Sequence, residues 1–272
     1  MKTLKELLNK WHIFIKILPF LITIFILKLA FHKFSLEIIT LNALFTSMIA
    51  ATTFLIGFLI TGVISDYKES EKIPGELATS LEVIYDEAYS IHKTKNTKQT
   101  KELLDFHKTL MQSINKWFYK EESTQEILTK ISNLNDLLIT LDGIAPASSI
   151  SRLKQEQNNI RKFITRVNVI SETSFIQSAY AIVEALATFV IIGLLVIKLD
   201  PFYESVFFSL VVSFLVLYMV FLIRDLDDPF EYNKYGEAGS EISLKPIQDL
   251  NDRLYPISKQ KKANTQNIKK IK

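Results

Sequence analysis

Apolar and polar positions are distributed very unevenly along this chain. Four stretches are almost free of charge, and nearly all the acidic and basic side chains lie between and beyond them. Each is near or above the roughly 20 apolar residues that a helix needs to cross a bilayer. The first runs from about Ile13 to Phe31 and is interrupted by Lys16, Pro19 and Lys28. The two lysines lie near its ends, where long basic side chains snorkel to an interface, and a membrane helix tolerates a proline. A secretory signal peptide is the rival reading. The run leaves through Lys28-Leu29-Ala30-Phe31-His32-Lys33, however, without a small-x-small cleavage pattern, so a retained helix is expected. The second stretch, Ile38 to Ile64, has no formal charge and is long enough that it must tilt or project beyond the hydrocarbon. The third lies within Phe175 to Leu199 and contains Glu184. The fourth runs from about Phe202 to Ile223, with Glu204 at its start and Arg224 closing it. Pro201 sits in the very short connection between these last two.

The segment between the second and third stretches reads as helical throughout. Pro74 and Gly75 open a run in which Leu77, Leu81, Ile84 and Ala88 recur at helical spacing, and Lys93 to Lys98 forms a polar loop. Leu103, Phe106, Leu110, Ile114, Trp117 and Phe118 mark a second amphipathic helix. Ser123 to Glu126 fits a capping box ahead of Ile127, Leu128, Ile131 and Leu134. Asp142-Gly143 and Pro146 break the pattern, and a last helix with Ile150, Leu153, Ile160, Ile164 and Val167 is able to run directly into the third stretch. The expectation is an all-α membrane protein: four transmembrane helices with a helical bundle between them. The division expected is 1–64 for a cytoplasmic N-terminal segment and helices one and two, 65–172 for the cytoplasmic helical region, 173–224 for helices three and four, and 225–272 for a C-terminal segment. The last ends in a lysine-rich tail from Lys259, whose composition is that of a solvated, disordered tail.

Orientation follows from the flanks. Lys2, Lys5 and Lys10 precede the first stretch, Lys68 and Lys72 follow the second, Arg152, Arg161, Lys162 and Arg166 precede the third, and Arg224 follows the fourth. The opposite loops are tiny, so the positive-inside rule puts both termini in the cytoplasm of a cell whose inner membrane holds the protein.

Composition narrows the chemistry. The 32 Lys and Arg against 29 Asp and Glu leave a net charge of +3, too balanced for nucleic acid to be the main partner. Cysteine is absent, which excludes disulfides, thiolate metal sites and cysteine nucleophiles. The four histidines are scattered, the seven glycines form no phosphate-binding loop, and no G-x-S-x-G elbow occurs. No enzyme, cofactor or metal is expected. Glu184 is a candidate intramembrane site, because charge is costly there, with a hydrated or Arg-paired interfacial residue as the equal alternative. Asp225, Asp227, Asp228 and Glu231 have the oxygen ligands of a weak cation site, but their spacing fits a capped acidic turn better. Along the second stretch Ser47, Ala50 or Ala51, Phe54, Phe58 and Thr61 share one helical face. That face suits either a pore lining or close packing between helices, since Ser47, Ala50, Ala51 and Gly57 are small.

Two segments resemble the bestrophins. Phe54-Leu55-Ile56-Gly57-Phe58-Leu59-Ile60, followed by Ser65-Asp66-Tyr67, is similar to the bestrophin pore helix with its F-x-x-G-F segment. Asp227-Asp228-Pro229-Phe230, with Ser240-Glu241-Ile242-Ser243-Leu244 and Leu250 beyond, is similar to the segment that follows the fourth bestrophin span. Gly75-Glu76-Leu77 through Asp86-Glu87-Ala88 also resembles a divergent bacterial bestrophin-like family. The likeness covers most of residues 11–255 through short motifs. It implies an oligomeric ion channel, pentameric in that family, conducting inorganic ions passively. Its apolar neck falls on Phe54 and Phe58, with Ala50 at the preceding, here wider, neck position and Ser47, Ala51 and Thr61 lining other sections. Asp66-Tyr67-Lys68 replaces the family's Arg and paired tryptophans, and only the acidic turn matches the animal channels' calcium site. A non-conducting membrane scaffold or sensor that binds a partner through its cytoplasmic helices is the competing reading.

Overall fold

The computed structural model describes residues 11–172, 177–232 and 241–256. Among them are helices α1 (His12–Lys33), α2 (Ala43–Lys95), α3 (Lys98–Phe118), α4 (Thr124–Thr140), α5 (Ala147–Glu172), α6 (Gln177–Val196), α7 (Phe202–Asp227) and α8 (Lys245–Leu254). Two short strands, β1 (Ile39–Thr40) and β2 (Ile197–Lys198), pair in parallel, Ile39 with Ile197 and Thr40 with Lys198. The fold is all-α, as the pattern predicts, and α1, α2, α6 and α7 are each long and apolar enough to cross a membrane. The chain divides into two compact units, and the division falls inside α2, between Glu69 and Ser70.

The first unit holds α1, β1, α2 up to Glu69, α6, β2 and α7. Its core is apolar: Phe45, Ile56, Leu59 and Val63 of α2 meet Val183, Ala187, Val190 and Leu194 of α6 and Val216, Val220 and Ile223 of α7. One tight contact is built on a missing side chain. A Cβ at Gly193 of α6 would run into the Phe45 ring. The α1 helix packs on α7 and α6, burying Ile13, Ile17, Ile24 and Lys28. Their spacings of four and seven residues place them on one face.

The second unit holds the rest of α2 with α3, α4, α5 and α8. Each helix contributes a buried stripe at helical spacing, such as Leu77, Leu81, Ile84 and Ala88 of α2 and Ile127, Ile131, Leu134 and Leu138 of α4. Side chains also tie the helices to one another's backbones. Gln157 Nε2 of α5 donates to the Ile131 carbonyl of α4 at 2.6 Å. His107 of α3 is fully buried and its Nε2 donates to the Leu81 carbonyl of α2 at 2.8 Å. A neutral ring that donates from Nε2 accepts at Nδ1, so the Tyr255 hydroxyl, 2.8 Å away, donates to it.

Three local expectations need correcting. Pro74 and Gly75 do not begin a helix, because α2 runs through both. The proline removes one backbone bond, but the buried stripe of Ile73, Leu77, Ala78 and Leu81 on both sides holds the helix together. The polar loop at Lys93 to Lys98 shrinks to Asn96 and Thr97. Asn96 takes a φ of 44°, and Thr97 caps α3 through Thr100. The acidic segment is a turn only in its second half: Asp225 and Asp227 lie in the last turn of α7, Asp228 is its C-cap, and the turn runs from Asp228 to Glu231, whose amide donates to the Asp228 carbonyl at 3.4 Å. Ser123 and Glu126 do form the expected reciprocal cap on α4. The junction proposed between α5 and the third stretch, the N-terminal lysines, Ser240 and the tail from Lys259 all lie outside the described residues.

Candidate functional site

The α2 helix is two-sided within the first unit. Phe45, Thr52, Ile56, Leu59 and Val63 recur at steps of three, four or seven and face the core. Rotated away from them by the 3.6-residue period, Ser47, Ala50, Ala51, Phe54, Phe58 and Thr61 are all exposed. Phe54 is 77% exposed and Phe58 70%, a large apolar area for two residues in the middle of a helix whose opposite face is sealed. The structure thus brings all six sequence-derived candidates onto one face, and among the described residues that face is exposed along its length.

Thr61, on that face, donates its Oγ1 hydrogen to the Gly57 carbonyl at 2.9 Å, and Thr53, on the flank, donates to the Ile49 carbonyl at 2.9 Å. Each hydroxyl hydrogen is therefore used within the helix, and what remains outward is a methyl group and an oxygen lone pair. Gly57 has open space where a Cβ would stand, with no atom of the described residues outside its own stretch of helix within 4 Å of it. Between Phe54 and Phe58 the face is apolar.

Glu184 is not an isolated intramembrane charge. It sits on α6 opposite Arg224 of α7, whose Nε lies 3.2 Å from Glu184 Oε1 and whose terminal nitrogen also reaches it. Arginine pairing is the interfacial alternative raised by the sequence. Asp225 is held by His12 Nε2 at 2.9 Å and Lys16 Nζ at 3.6 Å. Among the described residues no group of three or more histidine and acidic side chains is arranged to hold a metal ion.

A second polar cluster escaped the sequence reading. Lys28 does not snorkel outward. It is 1% exposed, and its ammonium donates to the carbonyls of Leu194 (3.1 Å), Leu195 (3.3 Å) and Ile197 (2.6 Å). Leu194 and Leu195 are among the residues whose carbonyls are left over at the C-terminal end of α6, and Ile197 opens β2 just beyond it, where the helix dipole favours a cation. Glu37 neutralises the charge at 2.7 Å, and His32 binds the other Glu37 oxygen at 2.8 Å. Burial alone would raise the Glu37 carboxyl, but the hydrogen bonds and charges of His32 and Lys28 outweigh it and hold it below the usual range. Ser209 and Ser205 of α7 reach the same carbonyls, those of Leu194 and Ile197. The signal was available: Lys28 continues the buried series of Ile17 and Ile24, and Ser205, Ser209 and Ser213 recur every four residues.

Comparison with known proteins agrees with this architecture. A bacterial bestrophin homologue from Klebsiella pneumoniae, crystallised as a single-substitution variant, superposes with a TM-score of 0.72 at 14% identity. The match covers 89% of this chain and 98% of that one. A crystal structure described as a membrane protein variant gives 0.74 at 13% identity, covering 88% and 97%. No curated protein matches the chain. The bestrophin-like domain family matches residues 13–231, which takes in both faces of α2, the Lys28 cluster and the Glu184–Arg224 pair. The chain is a multi-pass membrane protein and belongs to the bestrophin-like family.

Proposed function

We propose that this protein is an ion channel. Copies of the chain assemble, as a pentamer by analogy with the family, around an axis lined by the exposed face of α2. Phe54 and Phe58 then become two apolar rings one helical turn apart, which gate by dewetting. Ala50 makes a wider ring on the N-terminal side, and Ser47, Ala51 and Thr61 line the sections beyond. Inorganic ions pass down their gradient, and no chemical step is involved. The basic flanks of the four spans support a cytoplasmic placement of both termini in the inner membrane.

One observation carries this reading: the α2 face that holds the six candidates is uncovered, while the other face of the same helix is packed. The alternative for such a face is contact with a neighbouring helix of another copy. The two differ in the response to truncation. Phe58→Ala in a pore widens the narrowest apolar section, so anion or cation flux into liposomes should rise while the oligomer stays intact. In a packed contact the same change removes buried area, at a cost of about 3–5 kcal/mol in a protein core, and the oligomer weakens. An assembled Phe58→Ala protein with unchanged flux would overturn the neck assignment.

A further inference from the structure

We propose that α1, α6 and α7 form a specific site for one phospholipid, with an acyl chain in a groove and the headgroup phosphate on Lys16. The groove is open, has a volume of about 420 Å³, and is lined by Pro19, Phe20, Thr23 and Ile24 of α1, Ile191 of α6 and Leu217 of α7. Its wall is almost wholly apolar. The one hydroxyl on it, Thr23 Oγ1, donates to the Pro19 carbonyl at 2.9 Å and so presents its methyl group. A concave apolar surface shared by three membrane-spanning helices holds a hydrocarbon chain more persistently than the convex surface of a single helix, because the chain is contacted on several sides.

The headgroup end is marked by charge. Lys16 precedes Pro19, Phe20 and Thr23 by three, four and seven residues, so it lies on the same face of α1, one turn toward the N-terminus. Its side chain is 57% exposed, which leaves ammonium hydrogens for a phosphate. Trp11, half-exposed at the same end of α1, has the amphipathic ring found at headgroup level. The nearby Asp225 carboxylate, 3.6 Å from Lys16 and 2.9 Å from His12, makes the local charge mixed instead of strongly positive. A headgroup with both phosphate and amine answers both charges, the phosphate on Lys16 and the amine toward Asp225, whereas one without an amine answers the lysine alone. Phosphatidylethanolamine therefore ranks above phosphatidylglycerol. The inference needs α1 to face lipid in the assembly but does not depend on conduction.

Native mass spectrometry of the full-length protein in mild detergent, with either lipid added at equal concentration, counts bound lipids per chain. One phosphatidylethanolamine per chain is expected to persist, with occupancy about fivefold above phosphatidylglycerol. Lys16→Gln should lower that occupancy about fivefold, the effect of one partly exposed charge. Thr23→Phe places a ring in the groove at an exposed position and should lower it at least about tenfold. Equal retention of the two lipids, or wild-type retention by Lys16→Gln, overturns the proposal, and these hold even if Thr23→Phe does not assemble. Efficient disulfide formation between chains of a Phe20→Cys variant would also overturn it, since a second copy would then fill the groove. Flux is read separately, so a non-conducting protein leaves this test intact.

Discussion

Lys28 is the residue whose chemistry the fold uses most fully. An ammonium with three hydrogens meets three backbone carbonyls and one carboxylate in a site closed to solvent. Removing one partner of a buried pair leaves an uncompensated charge, a loss of about 3–5 kcal/mol. Lys28→Met is therefore expected to lower the Tm of the detergent-solubilised protein sharply, and adding Glu37→Gln should recover part of the loss. If the single variant unfolds like the parent, the pair is not structural. Gly193 is the second residue with a defined response. Alanine there collides with the Phe45 ring, which is itself buried against the α6 and α7 core, so overpacking costs about 1–3 kcal/mol. Gly57→Ala adds the same methyl group where there is open space, and within a single chain it should change little. The two glycines are alike in sequence terms and opposite in role.

At the scale of elements, α8 is held by a hydrogen-bond relay that responds to acid. The neutral His107 ring donates to α2 and accepts from Tyr255, which follows α8 directly. Tyr85, Asp105 and Lys108 stand around Tyr255, and burial with the neighbouring Tyr85 and Asp105 pushes its hydroxyl upward. Burial pushes His107 down from 6.5 to about 4, and the bond to Leu81 only partly opposes it. An exposed, unfolded His107 thus takes up a proton at a pH where the folded one does not. The stabilisation is fully present above pH 6.5 and is lost as pH falls from there toward 4, up to roughly 3 kcal/mol. Hydrogen exchange of the α8 amides should accelerate across that window in the parent and be insensitive to pH, after correction for intrinsic rates, in His107→Phe. The capping box of α4 gives a simpler expectation. Ser123 accepts from the Glu126 amide while the Glu126 carboxylate accepts from Ser123, so Ser123→Ala should cost about 1 kcal/mol in a denaturant titration.

For the whole molecule, the testable statement is its placement in the membrane. A cysteine at Lys33, the last residue of α1, and one at Lys98, at the start of α3, should react with an impermeant maleimide from opposite sides of a sealed vesicle. Reaction of both from the same side would remove the four-span orientation. The orientation rests on loop charge alone, which is legible in the sequence because lysines and arginines resist translocation wherever the fold puts them.

The sequence by itself determined the class of structure. Four long apolar runs cannot be buried any other way than in a bilayer, and periodicity of three and four residues marked the helices between them. It also placed the six α2 candidates on one face, since that follows from the helical period alone. Tertiary structure decided which face was left open, because only the packing of Ile56, Leu59 and Val63 against α6 and α7 turns Phe54 and Phe58 outward. It decided too that α2 continues through Pro74-Gly75, where distributed burial overrides a local breaker. It converted Lys28 from an expected interfacial residue into a buried helix cap and took Asp225 from an acidic turn into a pair with His12 and Lys16. In each case the partner lies far along the chain, 166 residues for Lys28 and Leu194 and 213 for His12 and Asp225. A local pattern carries the preference of a side chain for water or hydrocarbon. Where a charged group finds its partner is settled only when distant helices meet.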